Sequence, residues 1–277
     1  MGAAASVAML ESGGVSEDCK TFISLFLPYT SQTDVSYTLR KEAWPQIDNN
    51  GNGYVSLAET GKWIQVYIKN SFIKEAKASD RGKAGKTGKA SLSKAEVQDV
   101  KDRAKLLYKR FYPCYIRAFL DAADIGKNGK VGGTKTATKD DYVQRSEFRF
   151  LNVYLCIYAL MYDAFSAVDG ADSGSGDGIT KDDDRRISPK ELEAAVGKFA
   201  GHALLGAAQL GMPASYGNTD TLFKEMDADG KGKVLLSEWC AYMEKKEAEN
   251  GTELGALLTY KDGDESWSND WLILGDG

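Results

Sequence analysis

DNNGNGYVSLAE, at residues 48–59, carries oxygen-bearing side chains at alternating positions and ends on a carboxylate. Asp48, Asn50 and Asn52 occupy its first, third and fifth positions, and Glu59 occupies the twelfth. Gly53 stands at the sixth position, where the chain must turn sharply and a side chain would collide. Oxygen ligands gathered from one tight loop form the coordination shell that Ca²⁺ prefers. The segment therefore predicts a calcium site.

The same spacing defines the EF-hand, in which a helix, a twelve-residue calcium loop and a second helix follow one another. Tyr54 at position seven is expected to offer its backbone carbonyl, and Ser56 supports a water or hydroxyl ligand. Val55 at position eight is the apolar residue expected to pair with a neighbouring loop in a short strand. The alternative, an accidental turn, requires all these positions to be filled correctly by chance.

A later segment, DADGKGKVLLSE at residues 227–238, repeats this pattern. It supplies matching groups at six positions: Asp227, Asp229, Gly232, Lys233, Val234 and Glu238. Lys231 at position five departs from the pattern, because an ammonium group cannot donate an electron pair to a cation. Leu235 at position nine removes another indirect ligand. Three carboxylates remain, so we expect weakened calcium binding; the alternative is a loop kept for its shape alone.

A third loop precedes it at residues 180–191, TKDDDRRISPKE, and is irregular. Its carboxylates at ligand positions three, five and twelve are Asp182, Asp184 and Glu191. Thr180 stands at position one, and Arg185 replaces the glycine of position six. An insertion, GADSGSGDGI, follows Asp169. Either this insertion loops out and Asp169 reaches the ion, or Thr180 serves as a poor first ligand.

The second loop departs furthest from the pattern. The complete-length frame ending at Glu147 puts three residues on ligand positions: Thr136, Thr138 and Asp140. An alternative frame beginning at Asp124 ends at Lys135, which cannot close a calcium site. We therefore expect a metal-free loop that supports the first one by pairing with it.

These four units predict an all-α protein with the EF-hand fold, in which two lobes of paired helix-loop-helix units are joined by a long apolar helix. That helix is expected in the segment Phe148 to Phe165. Its uninterrupted apolar run, Val153 to Tyr162, is too short to cross a bilayer, so we expect it to be buried between the lobes. The expected divisions are an acylation signal with an amphipathic helix at 1–30, a first lobe at 31–150 that includes a basic linker at 69–90, a second lobe at 151–250 and a tail at 251–277.

Local patterns predict individual helices. Ser16 is expected to cap an amphipathic helix that ends at Pro28, and a second helix is expected from Asp34 to Ile47. Residues 76–90, which are rich in Gly, Ala and Lys, predict a flexible linker. Ser91 is then expected to cap one long helix that Pro113 kinks.

The composition of the chain argues against several classes of function. The net charge of −5 and the pI of about 5.2 argue against general nucleic-acid binding. The four cysteines contain no C-x-x-C pair, and there is no secretory segment, so a reduced intracellular compartment is expected. His202 is the single histidine, which disfavours hydrolase triads and the chromophore chemistry of calcium-triggered photoproteins. We expect no enzymatic activity.

Three stretches, YIRAFLDAAD, RSEFRFLNVYLCIYALMYDAFSAVD and LFKEMDADGKGKVLLSEWCAYM, resemble the calflagins, the flagellar calcium-binding proteins of trypanosomes. The resemblance extends over about residues 40–245, and its most distinctive part is the apolar helix. It implies two EF-hand lobes, calcium binding through the C-terminal hands, N-terminal acylation and attachment to the membrane of a flagellum or cilium. The ligands implied are Asp182, Asp184, Glu191, Asp227, Asp229 and Glu238. The chain departs from the family at Ala3–Ala5, where a palmitoylated cysteine would lie, and at Lys231.

The first residues, MGAAAS, match a myristoylation signal with Gly2 as the acyl acceptor. One myristoyl chain gives only marginal membrane affinity, so a second anchor is needed. The basic linker could supply it by binding the inner leaflet, or it could be a solvated segment. Palmitoylation of Cys19 is a further option.

Taken together, the sequence predicts a calcium sensor on the cytoplasmic face of a membrane, with an unknown protein target. Calcium would draw Glu59 and Glu238 inward and reorient the helices that follow them, and the adjacent Trp63 and Trp239 would report the movement. The alternative is a calcium buffer or structural protein without a switch. The tail could fill a groove, dock to another protein or pack on the surface.

Overall fold

The computed structural model describes residues 15–84, 92–125, 142–170, 184–195 and 219–249, together with Gly251. Its helices are α1 Glu17–Phe26, α2 Asp34–Ile47, α3 Leu57–Ala84, α4 Lys94–Arg110, α5 Tyr112–Ile125, α6 Phe148–Asp169, α7 Pro189–Ala195, α8 Thr219–Met226 and α9 Leu236–Glu249. Its strands are β1 Tyr54–Val55, β2 Val143–Gln144, β3 Arg186–Ile187 and β4 Val234–Leu235. Helices dominate these residues, so the all-α prediction is confirmed.

Side-chain caps explain where several helices begin. The Ser16 hydroxyl accepts a hydrogen bond from the Cys19 amide at 3.2 Å, so Ser16 caps α1 as predicted. That helix ends at Phe26 and continues as a 3₁₀ turn, Leu27–Tyr29, which contains Pro28. Helix α2 has the predicted bounds and begins after Thr33, whose hydroxyl accepts from the Ser36 amide.

The described part of the region expected to be a flexible linker is helical. Helix α3 continues through residues 76–84, and residues 85–91 lie outside the described part of the chain. Alanine and lysine are good helix formers, which outweighs the few glycines here. The next helix is capped by Ser93, with a capping box to Glu96, so the expectation of a cap at Ser91 was wrong.

Two helices stand where one long kinked helix was expected. Helix α4 ends at Arg110, Phe111 leaves helical geometry, and α5 begins at Tyr112. Pro113 therefore lies in the first turn of a new helix, where its missing N–H costs little. The break directs α5 against the core.

Helix α6 forms the centre of the core. Of its 22 residues, all but Arg149 are buried. Within the described residues it is the one helix long and apolar enough to cross a bilayer, yet its whole apolar window is buried by the rest of the protein. It contacts α1, α5, α7 and α9, so elements from both halves of the chain cover it.

Two short antiparallel strand pairs tie the loops together. Val55 pairs with Val143 across β1 and β2, and Ile187 pairs with Val234 across β3 and β4. All four side chains are fully buried. The residues at position eight of the predicted loops therefore lie opposite one another, first with second and third with fourth.

A buried ion pair fixes α1 onto the core. The Asp163 carboxylate of α6 accepts hydrogen bonds from the Ser16 amide at 2.8 Å and from Arg110 Nη2 at 3.1 Å. Arg110 Nη1 also donates to Asp18 at 2.8 Å. These contacts join three segments that are distant in sequence, and no local pattern in the sequence indicates them.

Candidate metal sites

The first loop wraps around the side chain that opens it. Asp48 follows the last turn of α2, and its two carboxylate oxygens accept from the amides of Asn52 at 3.2 Å and Gly53 at 3.0 Å. Asn50 Oδ1 accepts from the Asn52 amide, and Asn52 Oδ1 accepts from the Tyr54 amide, each at 2.9 Å. The oxygens at positions one, three and five therefore all turn into the loop.

Glu59 closes this loop from the first turn of α3. Its Oε2 accepts from the Ser56 amide at 2.9 Å and from the Ser56 hydroxyl at 2.8 Å, while Oε1 accepts from Asn50 Nδ2 at 2.8 Å. Positions three and twelve are thus in direct contact. Tyr54 lies in β1, and its ring packs edge-on against that of Tyr142.

The last loop repeats the wrapping almost atom for atom. The Asp227 carboxylate accepts from the Lys231 amide at 3.1 Å and from the Gly232 amide at 2.8 Å. Glu238 accepts from the Leu235 amide at 2.8 Å and from the Asp229 amide at 3.1 Å. Gly232 has φ of 78° and Gly53 has φ of 84°, the left-handed conformation that glycine adopts without strain. The backbone at these two sixth positions therefore favours glycine.

Three carboxylates gather in this last loop. One oxygen each from Asp227, Asp229 and Glu238 lies within 4.8 Å of the other two. Two oxygens bound to the same Ca²⁺ lie at most about 5 Å apart, since each Ca–O distance is 2.3–2.6 Å. One divalent cation can therefore bridge all three groups. Exposed acidic clusters also occur without ions, so this geometry permits a site and does not identify the cation.

Lys231 forms an ion pair with one of these three carboxylates, that of Asp229. Its Nζ lies 2.6 Å from Asp229 Oδ2. This hydrogen bond holds the pKa of Asp229 below its ordinary value, and it raises the pKa of Lys231. The ammonium therefore competes for a ligand that a cation would need.

The side chain of Lys233 points away from the last loop. Its Nζ lies 3.3 Å from Asp184 Oδ2 and so joins the third and fourth loops. The side chain thus makes a contact between loops, and only the backbone carbonyl of Lys233 remains as the expected ligand at position seven.

The third loop is described only in its second half. Arg185 adopts φ of 57°, so the residue that replaces the position-six glycine still takes a left-handed conformation. Glu191 is buried and accepts from the Ser188 amide at 2.6 Å. Thr180 and Asp182 lie outside the described residues, and Asp169 is buried at the end of α6. The structure therefore places Glu191 and Asp184 and leaves the choice of first ligand untested.

Of the second loop's predicted frame, the structure describes residues 142–147, which include the closing Glu147. Glu147 is buried and accepts from the Gln144 amide at 2.7 Å. The residues at the first, third and fifth positions of that frame, Thr136, Thr138 and Asp140, lie outside the described residues.

All four loops close in the same way. In each, the glutamate at position twelve accepts from the amide at position nine: Glu59 from Ser56, Glu147 from Gln144, Glu191 from Ser188 and Glu238 from Leu235. In the first and third loops the serine also accepts from the glutamate's own amide, which completes a capping box. Sequence reasoning missed this role, although the S-x-x-E spacing at Ser56 and Ser188 was the signal for it.

The residues predicted to contact a membrane are only partly described. Gly2 lies outside the described residues, whereas Lys69, Lys74 and Lys77 lie on α3. Cys19 is fully buried, its thiol directed at the Ala159 carbonyl at 3.6 Å, and burial raises its pKa well above the ordinary value. Acylation of Cys19 would therefore require α1 to leave the core.

No family model matches the chain, and no curated protein matches it.

Proposed function

We propose that the protein binds calcium through EF-hand units paired first with second and third with fourth around α6, and that the first and last loops hold the ions. One observation carries the proposal: two segments about 180 residues apart adopt the same hydrogen-bonded wrapping around the carboxylates of Asp48 and Asp227.

Both loops hold their candidate ligands in place before any cation binds. In both loops the amides of positions five and six hold the position-one carboxylate in place, and a further internal donor holds the position-twelve carboxylate. Oxygens already turned toward a common centre lose less conformational freedom when a cation binds. The short strand pairs restrain each loop against a neighbour, so a loop without an ion still supports its partner.

We further propose that the protein is a membrane-associated calcium sensor of the calflagin type. The resemblance of residues 40–245, the MGAAAS terminus and the basic residues on α3 support this extension. Ion binding would pull on Glu59 and Glu238, each in the first turn of a helix, and would rotate α3 and α9. The expected location is the cytoplasmic face of a membrane, in a flagellum or cilium, with a protein target of unknown identity.

Calorimetric calcium titration of the intact chain tests the metal sites. We expect Glu59→Gln and Glu238→Gln each to remove one binding event, because each change removes the carboxylate that closes a loop. Glu193→Gln, at an exposed position of α7, is the matched control and should leave the titration unchanged. Unchanged stoichiometry in both loop variants would contradict the proposal.

A calcium buffer without a switch is the second candidate, and the attachment of α9 favours it. Trp239, directly after Glu238, is buried and its indole N–H donates to the Met161 carbonyl at 3.1 Å. A helix held in this way resists rotation. A sensor would bind more hydrophobic dye when calcium is added, whereas a buffer would bind calcium with no change in dye fluorescence.

Vesicle sedimentation tests the membrane proposal. Myristoylated protein should sediment with anionic vesicles, and the Gly2→Ala variant should stay in solution because it lacks the acyl acceptor. Equal sedimentation of the two proteins would contradict acyl-dependent attachment.

A further inference from the structure

Helix α5 is apolar on two faces. Its inner face packs into the core through Cys114, Tyr115, Ala118, Phe119 and Ala122. Its outer face carries Tyr112, Ile116 and Leu120, which are 51%, 40% and 49% exposed. A spacing of four residues aligns these three side chains in one stripe along the helix. A helix covered on one side only would normally present polar residues on the other.

A groove of about 290 Å³ runs beside this stripe. Pro113, Ile116 and Leu120 of α5 form one wall, and Leu236 and Cys240 at the start of α9 form the other. We call the stripe and this groove together the α5–α9 groove. Its apolar lining sets it apart from a solvated surface, because contiguous exposed apolar surface on a soluble protein commonly marks an interaction site.

Arg117 and Tyr158, which also line the groove, make polar contacts that fix the distance between its walls. Arg117 of α5 forms an ion pair with Glu244 of α9, with Nη2 and Oε1 2.8 Å apart. The Tyr158 hydroxyl of α6 lies 3.0 Å from Glu244 Oε1 and also contacts the Asp121 carboxylate of α5, so its one proton is shared between two acceptors. The groove is thus formed before any partner arrives, so binding costs little rearrangement.

We propose that the α5–α9 groove is the docking site for the protein's own C-terminal segment, residues 267–274, WSNDWLIL. Trp267, Trp271 and Leu274 of this segment are spaced i, i+4 and i+7. That is the spacing of the apolar anchors by which a helical peptide binds in a groove. It also matches the four-residue spacing of the exposed stripe on α5.

The length of the chain favours this occupant. Helix α9, which forms one wall, ends at Glu249, and the groove lies at its opposite end. Fourteen helical residues span about 20 Å, whereas the residues from Gly251 to Trp267 can reach about 50 Å when extended. The tether is therefore long enough to bring the segment back. A tethered segment has an effective concentration of order millimolar, which a free partner would seldom match.

The test uses the intact chain labelled with 5-fluorotryptophan, which gives one ¹⁹F resonance for each tryptophan. Docked Trp267 and Trp271 should resonate away from the positions that they have in concentrated guanidinium. We expect Leu120→Glu to return both resonances to those positions, because it puts a charge into the groove. Leu106→Glu on α4, where the leucine is 61% exposed and lies outside the groove, is the matched control and should move neither.

A second variant perturbs the segment and leaves the groove intact. Trp271→Ala should weaken docking and move the Trp267 resonance toward its position in the denatured protein. The Trp239 resonance should not move. The proposal is overturned if Trp267 and Trp271 resonate at their denatured positions in the parent chain, or if Leu106→Glu moves them as much as Leu120→Glu. Dependence of their positions on protein concentration would overturn it in favour of a second copy. Because the proposal does not depend on calcium, its outcome is independent of the titrations above.

Discussion

The first and last loops have the same pattern of backbone hydrogen bonds, but different side chains bind their candidate metal ligands. In the first loop, an amide at position three donates to the closing Glu59. In the last loop, the ammonium of Lys231 at position five binds Asp229. An amide also has an oxygen that it can turn toward a cation, whereas an ammonium has only donors. If a cation binds, the amide of Asn50 can therefore turn its oxygen toward it, whereas the last loop must first break the contact between Lys231 and Asp229.

The helices that leave the two loops are also held differently. In α9, Trp239 makes a buried hydrogen bond to α6. In α3, Trp63 packs against the rings of Phe26, Tyr67 and Phe148, and its buried indole N–H has no acceptor among the described residues. Apolar contacts are less directional than hydrogen bonds. Helix α3 has its own hydrogen bond, from the Tyr67 hydroxyl to the Leu25 carbonyl at 3.1 Å, so the difference lies in the two tryptophans and not in the whole helices. We therefore expect Trp63 to shift within its ring cluster at less cost in free energy than Trp239 would incur on leaving its hydrogen bond.

Exchanging the fifth residues should change calcium affinity the most. Asn52→Lys brings an ammonium among the ligands of the first loop and should lower its affinity about a hundredfold, or about 2.7 kcal/mol. Lys231→Asn releases Asp229 and should raise affinity at the last loop about tenfold. Calorimetric titration measures both changes.

Lys233→Asn is the matched control for this exchange, because its ammonium binds Asp184 of another loop. It should alter affinity at the last loop far less than Lys231→Asn. If Asn52→Lys leaves the first site intact, the contrast between amide and ammonium does not set affinity.

Substitution of Trp63 and Trp239 tests how firmly α3 and α9, the helices that follow the two loops, are attached to the core. Trp239→Phe removes a buried hydrogen bond and leaves the Met161 carbonyl without it, whereas Trp63→Phe removes an N–H that has no described acceptor. Both changes also shrink a buried ring. Trp239→Phe should therefore lower the free energy of unfolding by about 1–3 kcal/mol more than Trp63→Phe. Denaturant unfolding measures the difference, and equal costs would mean that α3 and α9 are held equally firmly.

The sixth-position glycines should respond alike, since both take positive φ and have open space around them. Gly53→Ala and Gly232→Ala should each lower the free energy of unfolding by about 1–2 kcal/mol. Gly61→Ala in α3 is the control: its methyl group would meet Tyr108 Oη at an ordinary 3.6 Å, so the change should stabilise by about 0.5–1 kcal/mol. Unequal costs at positions 53 and 232 would show that the two turns are not equivalent.

The smallest expected effect concerns pH. The hydrogen bond from Lys231 lowers the pKa of Asp229. This contact therefore stabilises the folded chain at pH values above the ordinary pKa of a carboxyl group. The stabilisation is lost as the pH falls through the lowered pKa of Asp229. In Lys231→Asn without calcium, Asp229 should titrate at higher pH, as followed by NMR of its carboxyl carbon. An unchanged midpoint would mean that the ammonium does not control this carboxyl.

Features set by neighbouring residues could be predicted from the sequence. The bounds of α2, the Ser16 cap and the two glycine turns depend on residues within one turn of each other. The strand partners at positions eight follow from the loop spacing. The position of Glu59 against Asn50 was implied by the twelve-residue loop, although the capping box that holds it was not recognised.

Features set by distant residues could not be predicted. Arg110 pairs with Asp163 across 53 positions, and Arg117 pairs with Glu244 across 127. The stop at Phe111 was mistaken for a kink, because a proline alone does not tell whether a helix bends or a new one starts. The continuation of α3 to residue 84 was missed because lysine and alanine suit both helices and solvated linkers. The two faces of α5 appear only once the core is assembled.

The burial of α6 on nearly every side should couple the folding of the described elements that pack against it. Because α1 and α5 pack on it from one side in sequence and α7 and α9 from the other, cutting the polypeptide before or after α6 would leave its apolar surface incompletely covered. Heat should consequently melt both halves in one transition. Any compound that stabilises one end of the molecule should then raise the melting temperature of the other.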